Sequence, residues 1–79
     1  MRVSAIVYNN IMADFAERLK ELRTEKGLTM KQLAGAVGVS EVAISYWESR
    51  QRLPNINAVL AVAKFFNVTC GQLLGAEDL

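Results

Sequence analysis

Residues 29–48 read TMKQLAGAVGVSEVAISYWE, and this segment predicts two short helices joined by a tight turn. Thr29, with a glutamine three positions later, has the form of a capping box, which marks the start of a helix. Gly38 interrupts the helical pattern, because glycine can adopt the positive φ that a sharp turn needs. Ser40 is a favourable N-cap for the second helix. The first helix is so short that packing, rather than local propensity, must stabilise it.

The second helix of this segment has two chemically different sides. Ile44 and Trp47 share one side at helical spacing, and we expect them in the core. The small side chain of Ala34 allows the two helices to cross closely, and Val39 fills the angle between them. The other side carries Glu41, Val42, Ser45, Tyr46 and Ser49. This second side is therefore free to contact a partner.

The sequence before this segment predicts one longer helix, from about Met12 to Lys26. Asn10 or Asp14 is suited to cap its start, and Gly27 follows a basic last turn and suits its end. Its apolar residues recur at helical spacing and form one stripe of Ile11, Phe15, Leu19 and Leu22. We expect this stripe to face the core.

The sequence after the segment predicts two more helices. Asn55 is a favourable cap for the fourth helix, and residues 69–72 have the capping-box form that opens a fifth. The expected buried side of the fourth helix comprises Ile56, Val59, Leu60, Ala63 and Phe66. Phe65 is suited either to cover the first helix or to lie in a subunit interface. No internal strand is predicted, so the fold class is all-α with five helices.

Composition indicates one folded domain in a chain of 79 residues, since 52% are hydrophobic and 22% charged. The net charge is only +1, so a nucleic-acid partner requires a local basic patch. Histidine is absent, and a single cysteine, Cys70, excludes an internal disulfide and a zinc site made of several thiolates. The apolar run at residues 3–8 is too short for a typical secretory signal or a membrane span. We expect a cytoplasmic protein without cofactor, metal or evident small-molecule ligand.

The combined pattern resembles the phage repressor and Cro-type (Xre-like) family of helix-turn-helix domains. The matching segments are FAERLKELR from residue 15, KGLT from 26, QLA from 32, VGVS from 37, ISYWE from 44, PN from 54 and VT from 68. Each segment alone is weak evidence, whereas the ordered set is highly specific. The resemblance implies a compact five-helix domain that binds double-stranded DNA, usually as a homodimer on a roughly palindromic operator.

The resemblance also implies roles for individual residues. The positions that read base edges are Glu41, Val42, Ser45 and Tyr46. The positions that approach the DNA backbone are Met30, Lys31, Ser49, Arg50 and Arg52. Met30 lacks a hydrogen-bonding side chain, but its backbone N–H at a helix start is suited to a phosphate. Arg23 and Glu48 match a charged pair that joins the first helix to the base-reading helix, and Gly38 matches the turn.

We therefore expect a sequence-specific regulator of transcription, acting as a repressor, that reads the major groove with the helix at about residues 41–49. One alternative is a protein-interaction adaptor that uses the same fold without DNA. Another is the DNA-binding antitoxin or controller of a two-gene system. An enzyme is disfavoured, because the sequence contains no evident nucleophile–base pair, phosphate-binding loop or metal cluster.

Residues 1–11 lie outside the resemblance. We expect them to form a short N-terminal extension to a domain that comprises residues 12–79. A flexible arm, a dimer-contact segment and an upstream start codon each account for such an extension.

Overall fold

A computed structural model describes the backbone of residues 5–79 and the side chains of residues 11–79. This part of the chain contains five helices and no strand. The helices are α1 (Ala5–Glu25), α2 (Met30–Val37), α3 (Glu41–Glu48), α4 (Ile56–Phe66) and α5 (Cys70–Leu73). The predicted all-α, five-helix architecture is confirmed.

The start of α1 differs from the prediction. The first described residue, Ala5, is already helical, well before Met12, and the helix continues through Asn10 and Asp14, neither of which caps it. Residues 5–11 contain no glycine or proline, so nothing in the local sequence stops a helix that Phe15 and Leu19 anchor in the core. The proposed boundary after residue 11 therefore lies inside α1. The side-chain contacts of the extension lie outside the described residues.

Side-chain caps fix the starts of the other four helices, as predicted. In each case the cap side chain accepts the backbone N–H of the residue three positions later. These hydrogen bonds run from Gln32 N to Thr29 Oγ1 (3.0 Å), Ala43 N to Ser40 Oγ (3.1 Å), Ala58 N to Asn55 Oδ1 (2.8 Å) and Gln72 N to Thr69 Oγ1 (2.9 Å). Each such cap typically stabilises a helix by about 1 kcal/mol. The two threonines form complete capping boxes, with Gln32 and Gln72 as the returning partners.

The turn between α2 and α3 has the predicted geometry. Gly38 has φ 77°, in the left-handed region. The N–H groups of Gly38 and Val39 both donate to the carbonyl of Ala34, at 2.9 and 3.0 Å. Ala34 is buried, so its small side chain permits this close crossing. The turn sets the angle at which α3 leaves α2.

The core holds α3 by its inner side. Ile44 is fully buried and Trp47 is 5% exposed. The Trp47 indole packs edge-on against the Phe15 ring, with a centroid separation of 6.1 Å. Trp47 is thus a core residue, as its phase predicted. The largest fully buried side chains are those of Phe15, Leu19, Leu33, Ile44, Val62 and Leu73.

The buried side of α4 differs from the prediction at two positions. Ile56 is 67% and Leu60 is 52% exposed, whereas the core contains Ala58, Val59, Val62, Ala63 and Phe66. The sequence of α4, INAVLAVAKFF, is apolar on nearly every side, so its periodicity does not select one face. The tightly packed small residues occupy the core, and the two larger aliphatic residues are displaced outward. Phe65 packs edge-on against Phe66. The ammonium group of Lys26, which directly follows α1, lies 4.9 Å from the centroid of the Phe65 ring.

Candidate nucleic-acid interface

The outer side of α3 is open to solvent. Glu41, Val42 and Ser45 are exposed, with Val42 57% accessible, and Tyr46 is half-buried. These are the four positions that the resemblance assigns to base reading. Because Ile44 and Trp47 are buried on the opposite side, α3 cannot rotate without breaking the core. The four side chains therefore form one fixed surface.

An ion pair between Arg23 and Glu48 ties the end of α3 to α1. Arg23 Nε donates to Glu48 Oε2 at 2.6 Å, and Nη2 donates to Oε1 at 2.9 Å. The side chains are only 13% and 4% exposed. The hydrogen bond to Glu48 raises the pKa of Arg23 above its ordinary value, so the guanidinium stays charged. The remaining nitrogen, Nη1, donates to the carbonyl of Leu28 at 2.8 Å, which also fixes the chain before α2.

The residues predicted to approach the DNA backbone occupy different environments. Lys31, Arg50 and Arg52 are exposed, so their charges are available to an anion. Met30 is half-buried and packs against the core, which leaves its backbone N–H at the start of α2 as the group for a phosphate. The Ser49 hydroxyl donates to the carbonyl of Ser45 at 2.8 Å. It must rotate away from Ser45 before it can donate to a phosphate.

The loop after α3 is tightly folded. Arg50 has φ 64°, a left-handed conformation that is uncommon outside glycine. The carbonyl of Tyr46 then accepts the N–H groups of Gln51 at 2.9 Å and Arg52 at 3.4 Å. This arrangement returns the chain to the outer side of α3. A cleft of about 450 Å³ lies between α3 and the loop, and its lining includes Val42, Tyr46, Arg52 and Pro54.

Two arginines, Arg18 and Arg52, make contacts that the sequence did not predict. Arg18 Nη1 donates to the carbonyls of Gln72 and Glu77, the latter at 2.6 Å, and so joins α1 to the C-terminal segment. The guanidinium of Arg52 lies over the ring of Tyr46, with Cζ 5.3 Å from the ring centroid. For Arg18, the only sequence signal was its position directly before Leu19 of the apolar stripe.

None of the helices in the described part of the chain is both long enough and apolar enough to cross a membrane.

Comparison with known proteins assigns the family. A family model described as "Helix-turn-helix" matches residues 19–73. The chain is 47% identical over 66 residues to the HTH-type transcriptional activator BcrR of Enterococcus faecalis, covering 84% of this chain and 32% of BcrR. It is 34% identical over 61 residues to the HTH-type transcriptional regulator AnsR of Bacillus subtilis, covering 77% of this chain and 53% of AnsR. The chain thus spans about a third of BcrR and about half of AnsR.

A solved structure gives the same assignment. The restriction-modification controller protein C.AhdI from Aeromonas hydrophila superposes with a TM-score of 0.72 at 31% identity, covering 78% of this chain and 94% of that one. The chain therefore belongs to the Xre-like helix-turn-helix family.

Proposed function

We propose that this chain binds double-stranded DNA in a sequence-specific manner, with α3 in the major groove, and thereby regulates transcription. The observation that carries the proposal is the division of α3 into a buried inner side and an exposed outer side. The major groove is about 12 Å wide and admits one helix. The core and the Arg23–Glu48 ion pair hold α3 in a single orientation, as groove reading requires.

The outer side of α3 offers the chemistry that distinguishes base pairs. The exposed methyl groups of Val42 are suited to the methyl group of thymine, and the Glu41 carboxylate is suited to the amino group of cytosine. The hydroxyl groups of Ser45 and Tyr46 can donate or accept a hydrogen bond. These four residues are the proposed base contacts.

The proposed backbone contacts supply affinity without sequence information. Lys31, Arg50 and Arg52 present exposed charges, and the N-terminus of α2 presents the backbone N–H of Met30. Ser49 is exposed directly before Arg50, and its hydroxyl donates to the carbonyl of Ser45. This local set of cations accounts for DNA binding by a chain whose net charge is only +1.

The proposed functional unit is a homodimer on a roughly palindromic operator. An α3 of eight residues contacts only a few base pairs, which is too few to select a genomic site. Two copies related by a two-fold axis double the contacts, with half-sites about 34 Å apart. The exposed pair Ile56 and Leu60, directly after the α3–α4 connection, supports an interface on that side of the domain.

The direction of regulation follows from where the operator lies. A dimer that covers a promoter excludes the polymerase, so we expect repression at such a site. A reporter with the selected site placed over the promoter, and a second reporter with the site upstream, measure both outcomes. The likeness in fold to C.AhdI, a restriction-modification controller protein by name, keeps the role of controller in a two-gene system open for this chain.

Selection of bound duplexes from a random pool tests the proposal. The expected result is enrichment of one two-fold symmetric sequence, whose preference changes when Val42 or Glu41 is substituted. Binding to no duplex at low salt would overturn the proposal and favour the protein adaptor. Enrichment of a single unpaired half-site would retain DNA binding but reject the dimer.

A further inference from the structure

Arg52 and Tyr46 are in direct contact at the edge of the proposed DNA surface. The guanidinium carbon of Arg52 lies 5.3 Å from the centroid of the Tyr46 ring. At this separation a cation is attracted to the negative face of an aromatic ring. Tyr46 is half-buried and Arg52 is exposed, so the ring is anchored in the fold while the guanidinium remains accessible.

The main chain reinforces this contact. The carbonyl of Tyr46 accepts the backbone N–H of Arg52 at 3.4 Å and that of Gln51 at 2.9 Å. The left-handed conformation of Arg50 reverses the chain just before these residues. Tyr46 therefore contacts both the backbone and the side chain of Arg52.

The guanidinium keeps its charge available. Among the side chains that the structure describes, Arg52 forms no salt bridge, unlike Arg23, which is paired with Glu48. Arg52 and Tyr46 line the cleft between α3 and the loop together with Val42. The aromatic ring is thus the contact that restricts the guanidinium, and no carboxylate among the described side chains pairs with it.

We propose that Tyr46 is a positioning residue for Arg52. The Tyr46 ring holds the guanidinium at the DNA-facing edge of α3, so that the Arg52 side chain is already ordered when it meets a phosphate. This inference rests on the proposed function, because the anion in question is the DNA backbone. An arginine loses much rotamer freedom when it is fixed, and a side chain held before binding avoids that loss. Since phosphates are common to all sequences, loss of the Tyr46 ring weakens binding to every duplex, including random sequence.

Binding of Tyr46→Leu, Tyr46→Phe, Arg52→Ala and the double variant Tyr46→Leu/Arg52→Ala to a random-sequence duplex tests the proposal. Tyr46→Phe keeps the ring and is expected to bind random DNA more tightly than Tyr46→Leu does. Tyr46→Leu weakens that affinity roughly two- to fivefold, the range of an exposed cation–π contact. The double variant binds no more weakly than Arg52→Ala, because the ring acts through the guanidinium.

Arg50→Ala is the matched control, since Arg50 is a cation of the same loop and makes no ring contact among the described side chains. In the double variant Tyr46→Leu/Arg50→Ala, the two losses of binding free energy are expected to add in full. Additive losses for Tyr46→Leu and Arg52→Ala, or an unchanged affinity of Tyr46→Leu, would overturn the positioning role. Thermal melting of each variant checks that the neighbouring Trp47 core is intact.

A measurement without DNA separates the inference from the proposed function. The aromatic ring shifts the NMR signals of the Arg52 side-chain protons upfield in the wild type and in Tyr46→Phe, but not in Tyr46→Leu. Absence of this shift in the wild type overturns the contact whether or not any variant folds. A wild-type protein that shows the shift but binds no duplex overturns the proposed function and the positioning role together. A wild-type protein that binds duplex without the shift overturns the positioning role alone.

Discussion

Arg23 of α1 and Glu48 of α3 form a two-pronged ion pair whose Nε–Oε2 distance is 2.6 Å. The pair joins residues 25 positions apart in sequence, and a third hydrogen bond extends it to the carbonyl of Leu28. One guanidinium thus connects α1, the residue before the Thr29 cap of α2, and the end of α3.

Removing one member of the pair leaves a largely buried charge without its partner. Glu48→Ala is expected to lower the free energy of unfolding by about 3 kcal/mol. The double variant Arg23→Met/Glu48→Leu replaces both charges with apolar groups and is expected to recover most of that loss. Urea unfolding measures both. If the double variant is as unstable as Glu48→Ala, the loss of stability does not come from an unpaired buried charge, and the ion pair itself stabilises the fold.

Val42 and Lys31 are expected to contribute differently to DNA binding. Val42→Ala should cost roughly 1–3 kcal/mol on the selected site and leave random DNA and the salt dependence unchanged. Lys31→Ala should weaken both kinds of duplex alike and make the log–log salt slope shallower by about 0.9 per subunit. Titrations of each variant with the selected and the random duplex, at several salt concentrations, measure these differences. If Val42→Ala keeps full affinity and preference, the outer side of α3 does not read bases.

Replacement by alanine is expected to change stability in opposite directions at Gly35, inside α2, and at Gly38, the C-cap of α2. Gly38→Ala places a side chain at φ 77° and should destabilise the protein by about 1 kcal/mol or more. Gly35→Ala lies inside α2 with open space around its new Cβ, and should stabilise by about 0.5–1 kcal/mol. Melting curves of the two variants provide the comparison. Equal effects would argue against the left-handed turn.

Arg18 is expected to hold the C-terminal segment against α1. Arg18→Ala removes hydrogen bonds to the carbonyls of Gln72 and Glu77 and should cost about 1.5–3 kcal/mol. Faster amide exchange at residues 73–77 is the local sign of this loss. Lys20→Ala, an exposed cation on the same helix, serves as the control and should change neither quantity.

A chain that begins at Met12 is expected to fold and to bind DNA. The shortened α1 retains Phe15, Ala16 and Leu19, which are its buried residues within the described side chains. Circular dichroism and the random-duplex assay compare it with the full chain. A collapse of helicity or melting temperature would show that residues before Met12 belong to the core, and that the boundary after residue 11 is misplaced.

Local signals account for the parts of the fold that the sequence could predict. Thr29, Ser40, Asn55 and Thr69 each form their hydrogen bond within three residues, so the starts of four helices are readable without tertiary structure. The periodicity of α3 likewise predicted which residues are buried and which are exposed. The roles of the exposed residues toward DNA stay predictions.

The remaining features depend on competition between distant groups. The start of α1 has no local stop signal, and the apolar sequence of α4 does not reveal that Ala58 and Val62 displace Ile56 and Leu60 from the core. The contact between Arg52 and Tyr46 depends on the left-handed backbone at Arg50, a residue type that gives no warning of it. Such features require the assembled structure.

The two sides of α3 also bear on how this protein can diversify. Ile44 and Trp47 carry the packing, while Glu41, Val42 and Ser45 are exposed on the opposite side. Substitutions at exposed positions such as these usually change the free energy of unfolding by no more than about 0.5 kcal/mol. Under the proposed function, a lineage can alter its preferred operator one residue at a time, and each intermediate remains folded. Duplicated copies can thus acquire separate targets while they share one scaffold.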